Sequence, residues 1–103
     1  MSRSFRELSD ELRIDWSDEA RRVHDAAARE FTTELAARRA LGASVSRARK
    51  QAGLTQVQLA AVASIQQAEI SRIERGHANP TVNTLARIAE ATGSSLALVA
   101  ASA

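Results

Sequence analysis

The sequence predicts an all-α protein. Residues that favour helices, above all Ala, Arg, Glu and Leu, are abundant, and the 103 residues include only one Pro and four Gly. Apolar residues also recur every three or four positions along most of the chain. This length is typical of one compact domain, which would be only marginally stable by itself. We therefore expect several helices packed around one modest core.

In the N-terminal region, the apolar spacing predicts a short helix over residues 3–13, followed by a connector at residues 14–16. The apolar residues on one side of this helix are Phe5, Leu8 and Leu12. Ser17 is a good N-cap, and Asp18 and Glu19 follow it, where acidic side chains favour the positive end of the helix dipole. A long helix should therefore begin at this point.

The apolar stripe of this long helix is interrupted once, at Gly42. Before the interruption it comprises Val23, Ala27, Phe31 and Leu35, and after it Leu41, Val45, Ala48 and Ala52. A glycine costs about 1 kcal/mol relative to alanine inside a helix. We therefore expect two helices that meet near Leu41. The chain would then divide into an N-terminal helical extension, residues 1–40, and a domain, residues 41–103.

Two short helices should follow Gly53, which is placed to end the preceding helix in a left-handed turn. Thr55 would cap the first of them, over residues 55–62. The residues expected to point mostly inward from this helix are Val57, Leu59, Ala60 and Val62. After a turn at Ala63-Ser64, the second would span residues 65–75 and end at Gly76. Its expected buried residues are Ile65, Ile70 and Ile73. Two short helices joined by a tight turn form a helix-turn-helix.

A last helix is predicted between Thr81, its cap, and Gly93, its terminator. Its expected inward residues are Val82, Leu85, Ile88 and Ala89. The tail SSLALVAASA is ambiguous, since Leu96 and Leu98 alternate as in a strand, whereas Leu96, Val99 and Ala100 fit a helix. Either way it is too apolar to be left in water, so it should pack on the core or on a partner.

Polar residues share the outer side of the second short helix: Gln66, Gln67, Ser71 and Arg72. In the major groove of DNA, glutamine can bond adenine through two hydrogen bonds, and arginine can bond guanine in the same way. Serine can bond a base edge or a phosphate. Gln56, in the first turn of the preceding helix, is placed to bind a phosphate at that helix's N-terminus. In isolation such residues would be ordinary solvated surface, but this arrangement points to DNA.

The text LTQVQLA, then EISRIERG, then NPTVNTLARIAEATG closely resembles the phage-repressor (XRE-like) helix-turn-helix family over residues 41–93. The resemblance implies a lambda-repressor-like five-helix domain, preceded here by the helical extension and followed by a tail that could form a short strand. It also implies an ion pair between Arg49 and Glu74. The residues expected at the DNA are Thr55, Gln56, Gln66, Gln67, Ala68, Ser71, Arg72 and Asn79.

One position departs from the family pattern, because the turn between the two short helices usually contains Gly where this chain has Ser64. If the backbone there is left-handed, serine would cost about 1–2 kcal/mol.

The charged N-terminal extension followed by such a domain resembles HigA-type antitoxins, which bind a ribonuclease toxin of the RelE-like fold and repress their own operon. A basic toxin could be covered by acidic residues together with the apolar side chains Phe5, Leu8, Leu12 and Trp16. Alternatively, these side chains pack on the domain or at a dimer interface. The resemblance implies a homodimer on a palindromic operator of double-stranded DNA. The main alternative is a stand-alone XRE-type regulator with no toxin partner. A further alternative is an interaction protein that uses the fold without binding DNA.

The charge distribution favours a nucleic-acid partner, and the motifs give no reason to expect an enzyme, a metalloprotein or a membrane protein. Residues 42–103 carry a net charge of +3 and residues 1–41 a net charge of −1, which fits a modest polyanion-binding face in the C-terminal part. We find no catalytic motif, so we expect no enzyme and no catalytic residue. There is no cysteine, and no second histidine lies at metal-ligand spacing from His24 or from His77, so we expect neither metal nor cofactor. Without a signal peptide or a long apolar run, the chain should be cytoplasmic and nucleoid-associated, with no membrane partner.

Overall fold

The computed structural model describes residues 17–100 and confirms the all-α fold: this part of the chain contains four helices and no strand. The helices are α1 (Asp18–Gln51), α2 (Gln56–Ala63), α3 (Gln67–Glu74) and α4 (Val82–Thr92). The predicted helix over residues 3–13 lies outside the described residues. Residues 94–100 form neither helix nor strand, so the strand considered for the tail is not present there. None of the described helices is both long and apolar enough to cross a bilayer.

Contacts along the chain define two compact units, Met1–Thr33 and Glu34–Ala103. In the first unit, every described residue is exposed, including Val23 and Phe31 of the apolar stripe. The second unit holds the core.

The expected helix break near Leu41 is wrong, because α1 runs through Gly42 without interruption. A Cβ atom added at Gly42 would overlap the carbonyl oxygen of Ile73 and would lie 2.8 Å from that of Glu74. Gly42 is buried at this point. The glycine is therefore needed for the close approach of α1 to the C-terminal end of α3, and its helix-weakening effect is offset by that packing.

The core of the second unit consists of aliphatic side chains from all four helices and from the turn before α3. Its members are Val45, Leu59, Ala60, Ala63, Ile65, Ile70, Ile73 and Ile88. The three isoleucines predicted to be buried are all among them. Burying an isoleucine side chain stabilises a fold by about 1.5–3 kcal/mol, so these three residues hold α3 firmly in one orientation.

Several residues expected to point inward are exposed. Val57 and Val62 of α2 are 64% and 62% exposed, and Val82 of α4 is 71% exposed. The buried side of α2 is formed by Leu59, Ala60 and Ala63. At 100° per residue, both valines lie roughly 110° from the middle of that side, so an eight-residue helix cannot bury them as well. The tail was expected to pack on the core or on a partner, and Leu98 and Val99, which are 104% and 89% exposed, do not pack on the core.

After the C-terminal end of each helix, the backbone passes through one left-handed residue. These residues are Gly53, Ser64, Gly76 and Gly93. At each end, the next N–H group donates to a carbonyl group five residues earlier, at distances of 3.1, 3.0, 2.9 and 2.8 Å in chain order. Ser64 has φ 57° and ψ 46° and is the one non-glycine residue with positive φ among residues 17–100. The sequence departure at Ser64 therefore does coincide with a left-handed backbone.

Candidate nucleic-acid interface

An ion pair joins the end of α1 to the end of α3. Arg49 Nε donates to Glu74 Oε2 at 2.7 Å and Arg49 Nη2 donates to Glu74 Oε1 at 2.9 Å, while Nη1 donates to the carbonyl oxygen of Leu54 at 2.9 Å. The two side chains are only 12% and 7% exposed. A planar guanidinium bound through two parallel bonds fixes orientation as well as distance. This pair therefore locks the helix that carries the candidate contacts.

The charges of this pair are reflected in the pKa values of both groups. Burial by itself would raise the pKa of Glu74, but hydrogen bonds from Arg49, Gln56 and Ser46, together with the charge of Arg49, outweigh it and lower the pKa. The hydrogen bond to Glu74 raises the pKa of Arg49. Both groups therefore stay charged at neutral pH.

Gln56 and Gln67 meet where the N-termini of α2 and α3 come together. Gln67 Nε2 donates to Gln56 Oε1 at 3.3 Å. Gln67 is exposed and Gln56 is half-buried. Because each amide group can form up to four hydrogen bonds, this contact leaves donors and acceptors free to bind another molecule. The bond therefore orients the Gln67 side chain without using up its capacity.

The outer side of α3 presents the other predicted contacts. Gln66, Gln67, Ala68 and Arg72 are exposed, and Ser71 is half-buried. Gln66 is the N-cap of α3, one residue after the predicted start of the helix, and its side chain makes no capping hydrogen bond. Four of these five predicted residues are therefore accessible to solvent.

Two of the residues expected at the DNA, Thr55 and Asn79, do not belong to α3. Thr55 Oγ1 accepts from the Gln58 N–H group at 3.1 Å, and the Thr55 N–H group donates to Gln58 Oε1 at 2.9 Å. This capping box fixes the start of α2, so the Thr55 side chain serves the helix that positions Gln56. Asn79 is exposed in the loop after α3, where it lines a shallow cleft with Arg38 and Pro80.

Arg75 was missed by the sequence analysis. It lies four residues after Ser71, so the two residues share one side of the helix. Arg75 is exposed, and its Nε donates to the carbonyl oxygen of Ser71 at 3.3 Å. The spacing from Ser71 is visible in the sequence, but Arg75 is not among the residues expected at the DNA. It adds a positive charge to the outer surface of α3.

The described residues contain no group of three or more His, Cys, Asp or Glu side chains that could hold a metal ion. The proposed toxin-binding residues, Phe5, Leu8, Leu12 and Trp16, lie outside the described residues.

Comparison with known proteins points to the same part of the chain. The sequence model of the helix-turn-helix family matches residues 45–99. A protein of Sinorhizobium fredii (strain NBRC 101917 / NGR234), named as an uncharacterized HTH-type transcriptional regulator, y4dJ, is 41% identical over 56 residues, which cover 54% of this chain and 73% of that protein. The crystal structure of the clp gene regulator ClgR from C. glutamicum matches with a TM-score of 0.56 and 32% identity, and covers 57% of this chain and 76% of that one.

Proposed function

The chain belongs to the helix-turn-helix family, and from this premise we propose that it is a DNA-binding transcriptional regulator of the XRE type. One observation carries the proposal most strongly. The ion pair and the buried isoleucines fix α3, while its outer side presents Gln67 and Arg72 to solvent. Rigid placement of such side chains is what recognition of base edges requires.

In this proposal α3 enters the major groove as the recognition helix. Gln67 and Arg72 contact base edges, and Gln56 binds a phosphate beside them. The chain acts as a homodimer, with its two recognition helices in successive major grooves of a palindromic operator, about 34 Å apart. The role would place the protein at the nucleoid, where it represses transcription by occupying the operator.

The test is a gel-shift titration on DNA from upstream of the protein's own gene, with unrelated DNA of equal length as competitor. Each bidentate base contact is worth about 1–3 kcal/mol, so Gln67→Ala combined with Arg72→Ala should reduce specific affinity by about 100-fold or more. The matched control is Gln51→Ala combined with Arg22→Ala, since these two side chains are also exposed. Unchanged affinity in the α3 double variant would contradict the assignment of the site.

A second candidate function is the antitoxin role, in which the N-terminal unit binds a basic RelE-like toxin. It is supported by the exposure of the stripe formed by Val23, Ala27 and Phe31, with Val23 and Phe31 exposed by 65% and 63%. An isolated helix is marginal in water, so a helix with an exposed apolar stripe is suited to bind a partner. Glu19 and Glu30 lie near this stripe, and their negative charges would favour a basic partner.

Coexpression with the product of the adjacent gene tests this role. The antitoxin predicts a stable complex that suppresses RNA cleavage, and Val23→Asp combined with Phe31→Asp should release the partner while leaving DNA binding intact. If the adjacent product neither binds the chain nor cleaves RNA, the regulator acts without a toxin.

A further inference from the structure

A series of hydrogen bonds connects the Arg49–Glu74 ion pair to the outer side of α3. Gln56 lies between the two, because its amide group donates to the carboxylate of Glu74 and its Oε1 accepts from Gln67 Nε2 at 3.3 Å. The carboxylate is itself held by two bonds from Arg49, at 2.7 and 2.9 Å. We call the series Glu74, Gln56 and Gln67 the relay. It begins at a charge that is 7% exposed and ends at an exposed side chain.

The direction of each bond in the relay follows from the chemistry of its first member. Glu74 is ionised at neutral pH, since its pKa is lowered, and an ionised carboxylate can only accept hydrogen bonds. Gln56 therefore turns its NH2 group toward Glu74, which leaves its Oε1 facing Gln67. A carbonyl oxygen also only accepts, so Gln67 donates through its own NH2 group. The charge of Glu74 thus determines which way round the amide group of Gln67 is presented.

The order of the donor and the acceptor on Gln67 matters for the recognition of a base. A glutamine amide binds adenine through two neighbouring groups, with Oε1 accepting from N6 and Nε2 donating to N7. Because the NH2 group has two hydrogen atoms, one can bond to Gln56 while the other, beside Oε1, donates to N7. An amide turned the other way round would place its donor against the donor of adenine. A glutamine without an anchor can adopt either order.

We propose that Glu74 is a positioning residue for base recognition: through Gln56, it holds the amide group of Gln67 in the order that binds adenine. The proposal deepens the proposed function and rests on it. It gives the ion pair a second role, since the carboxylate that binds Arg49 also directs Gln56. If Glu74 only fixed α3 and Gln56 only bound a phosphate, the amide of Gln67 would have no preferred order.

Competition gel shifts test the relay on DNA from upstream of the protein's own gene, with each base pair changed in turn. Gln67→Ala first identifies the A·T pair that Gln67 reads, as the position at which base preference disappears. A contact of this kind favours the right base by about 5- to 150-fold. Gln56→Met interrupts the relay and leaves the ion pair intact, so it should remove most of the preference at that position. The preference at the position read by Arg72 should not change.

Arg49→Met combined with Glu74→Leu tests the first member of the relay. This double variant removes the carboxylate without leaving the Arg49 charge unpaired, so the domain should stay folded, which a melting curve checks. Base preference should fall at the position read by Gln67, and adding Gln56→Met should cause no further loss, because both changes break one series of bonds. The control Gln51→Met changes an exposed glutamine of α1 and should leave every preference unchanged.

The side-chain amide signals of Gln67 in NMR spectra of the free protein provide a readout without DNA. Gln56→Met and the double variant should each shift these signals toward those of the exposed Gln51. Unchanged signals in both variants would overturn the proposal. So would a Gln56→Met variant that binds all sequences more weakly by the same factor, or a double variant that also loses the preference at the position read by Arg72.

Failure of the relay can be distinguished from failure of the proposed function. If Gln67→Ala changes base preference at no position, the proposed site itself is wrong. If a preference depends on Gln67 but not on Gln56 or Glu74, only the relay is overturned.

Discussion

Ser64 holds the left-handed conformation that glycine holds at three other helix ends of the described chain. The serine side chain there is exposed, and the carbonyl oxygen of Ser64 accepts a hydrogen bond from Arg87 Nη1 at 3.2 Å. That bond holds the turn of the helix-turn-helix against α4. Because the bond uses the backbone, glycine at this position would keep it.

Ser64→Gly should therefore raise the free energy of unfolding. Relief of the left-handed strain, about 1–2 kcal/mol, exceeds the added entropy of glycine in the unfolded chain, so we expect a net gain of about 0.5–1 kcal/mol. Urea unfolding measures it. The reciprocal control is Gly53→Ser, at a helix end where a Cβ atom meets nothing within 4 Å, and it should lose a similar amount. A neutral or destabilising Ser64→Gly would show that no strain is stored in the turn.

At the scale of elements, sequence patterns predicted the helix-turn-helix well because its signals are local. Thr55, Gly53 and Gly76 mark helix ends through their own backbone and capping chemistry, and Ile70 and Ile73 mark the buried side of α3. Gly42 could not be interpreted in this way. A glycine that breaks a helix and a glycine that admits a neighbouring backbone look identical until the neighbour's position is known. For the same reason, the exposed valines of α2 were assigned to the core.

Replacing Gly42 tests its role in packing. Gly42→Ala improves helix propensity by about 1 kcal/mol, yet overpacking against the carbonyl groups of Ile73 and Glu74 should cost more. We expect a net loss of about 1–2 kcal/mol in the free energy of unfolding. The neighbouring change Ala43→Gly, at an exposed position, measures the propensity effect by itself. If Gly42→Ala were stabilising, α1 and α3 would not be in close contact at this point.

At the scale of the whole molecule, the sequence predicted the helix-turn-helix unit better than the rest. The site depends on residues that α2 and α3 bring together within a short stretch, such as Gln56 and Gln67. The stripe of the first unit and the tail are different, because their apolar side chains stay exposed and make no contact that a local signal could have indicated. A single sequence contains the apolar pattern of such segments but does not show whether they are covered.

The Arg49–Glu74 pair links the stability of the second unit to pH. The folded pKa of Glu74 lies below its ordinary value of 4.5, so the unfolded chain binds a proton more readily than the folded one. The stabilisation is therefore complete well above pH 4.5 and is lost as the pH falls through the lower, folded pKa. Acidification should destabilise the wild type more steeply than the variant Arg49→Met combined with Glu74→Leu, which lacks the titrating group.

Urea unfolding at a series of pH values, from neutral to about pH 3, measures this difference. Glu74→Leu alone should lose about 3–5 kcal/mol at neutral pH, because it leaves the Arg49 charge buried without a partner. The double variant should lose less than that single change, since it removes both charges from the same place. If wild type and double variant lost stability in parallel on acidification, the pair would not hold α3 through its charge. The orientation of α3 would then depend on the buried isoleucines alone.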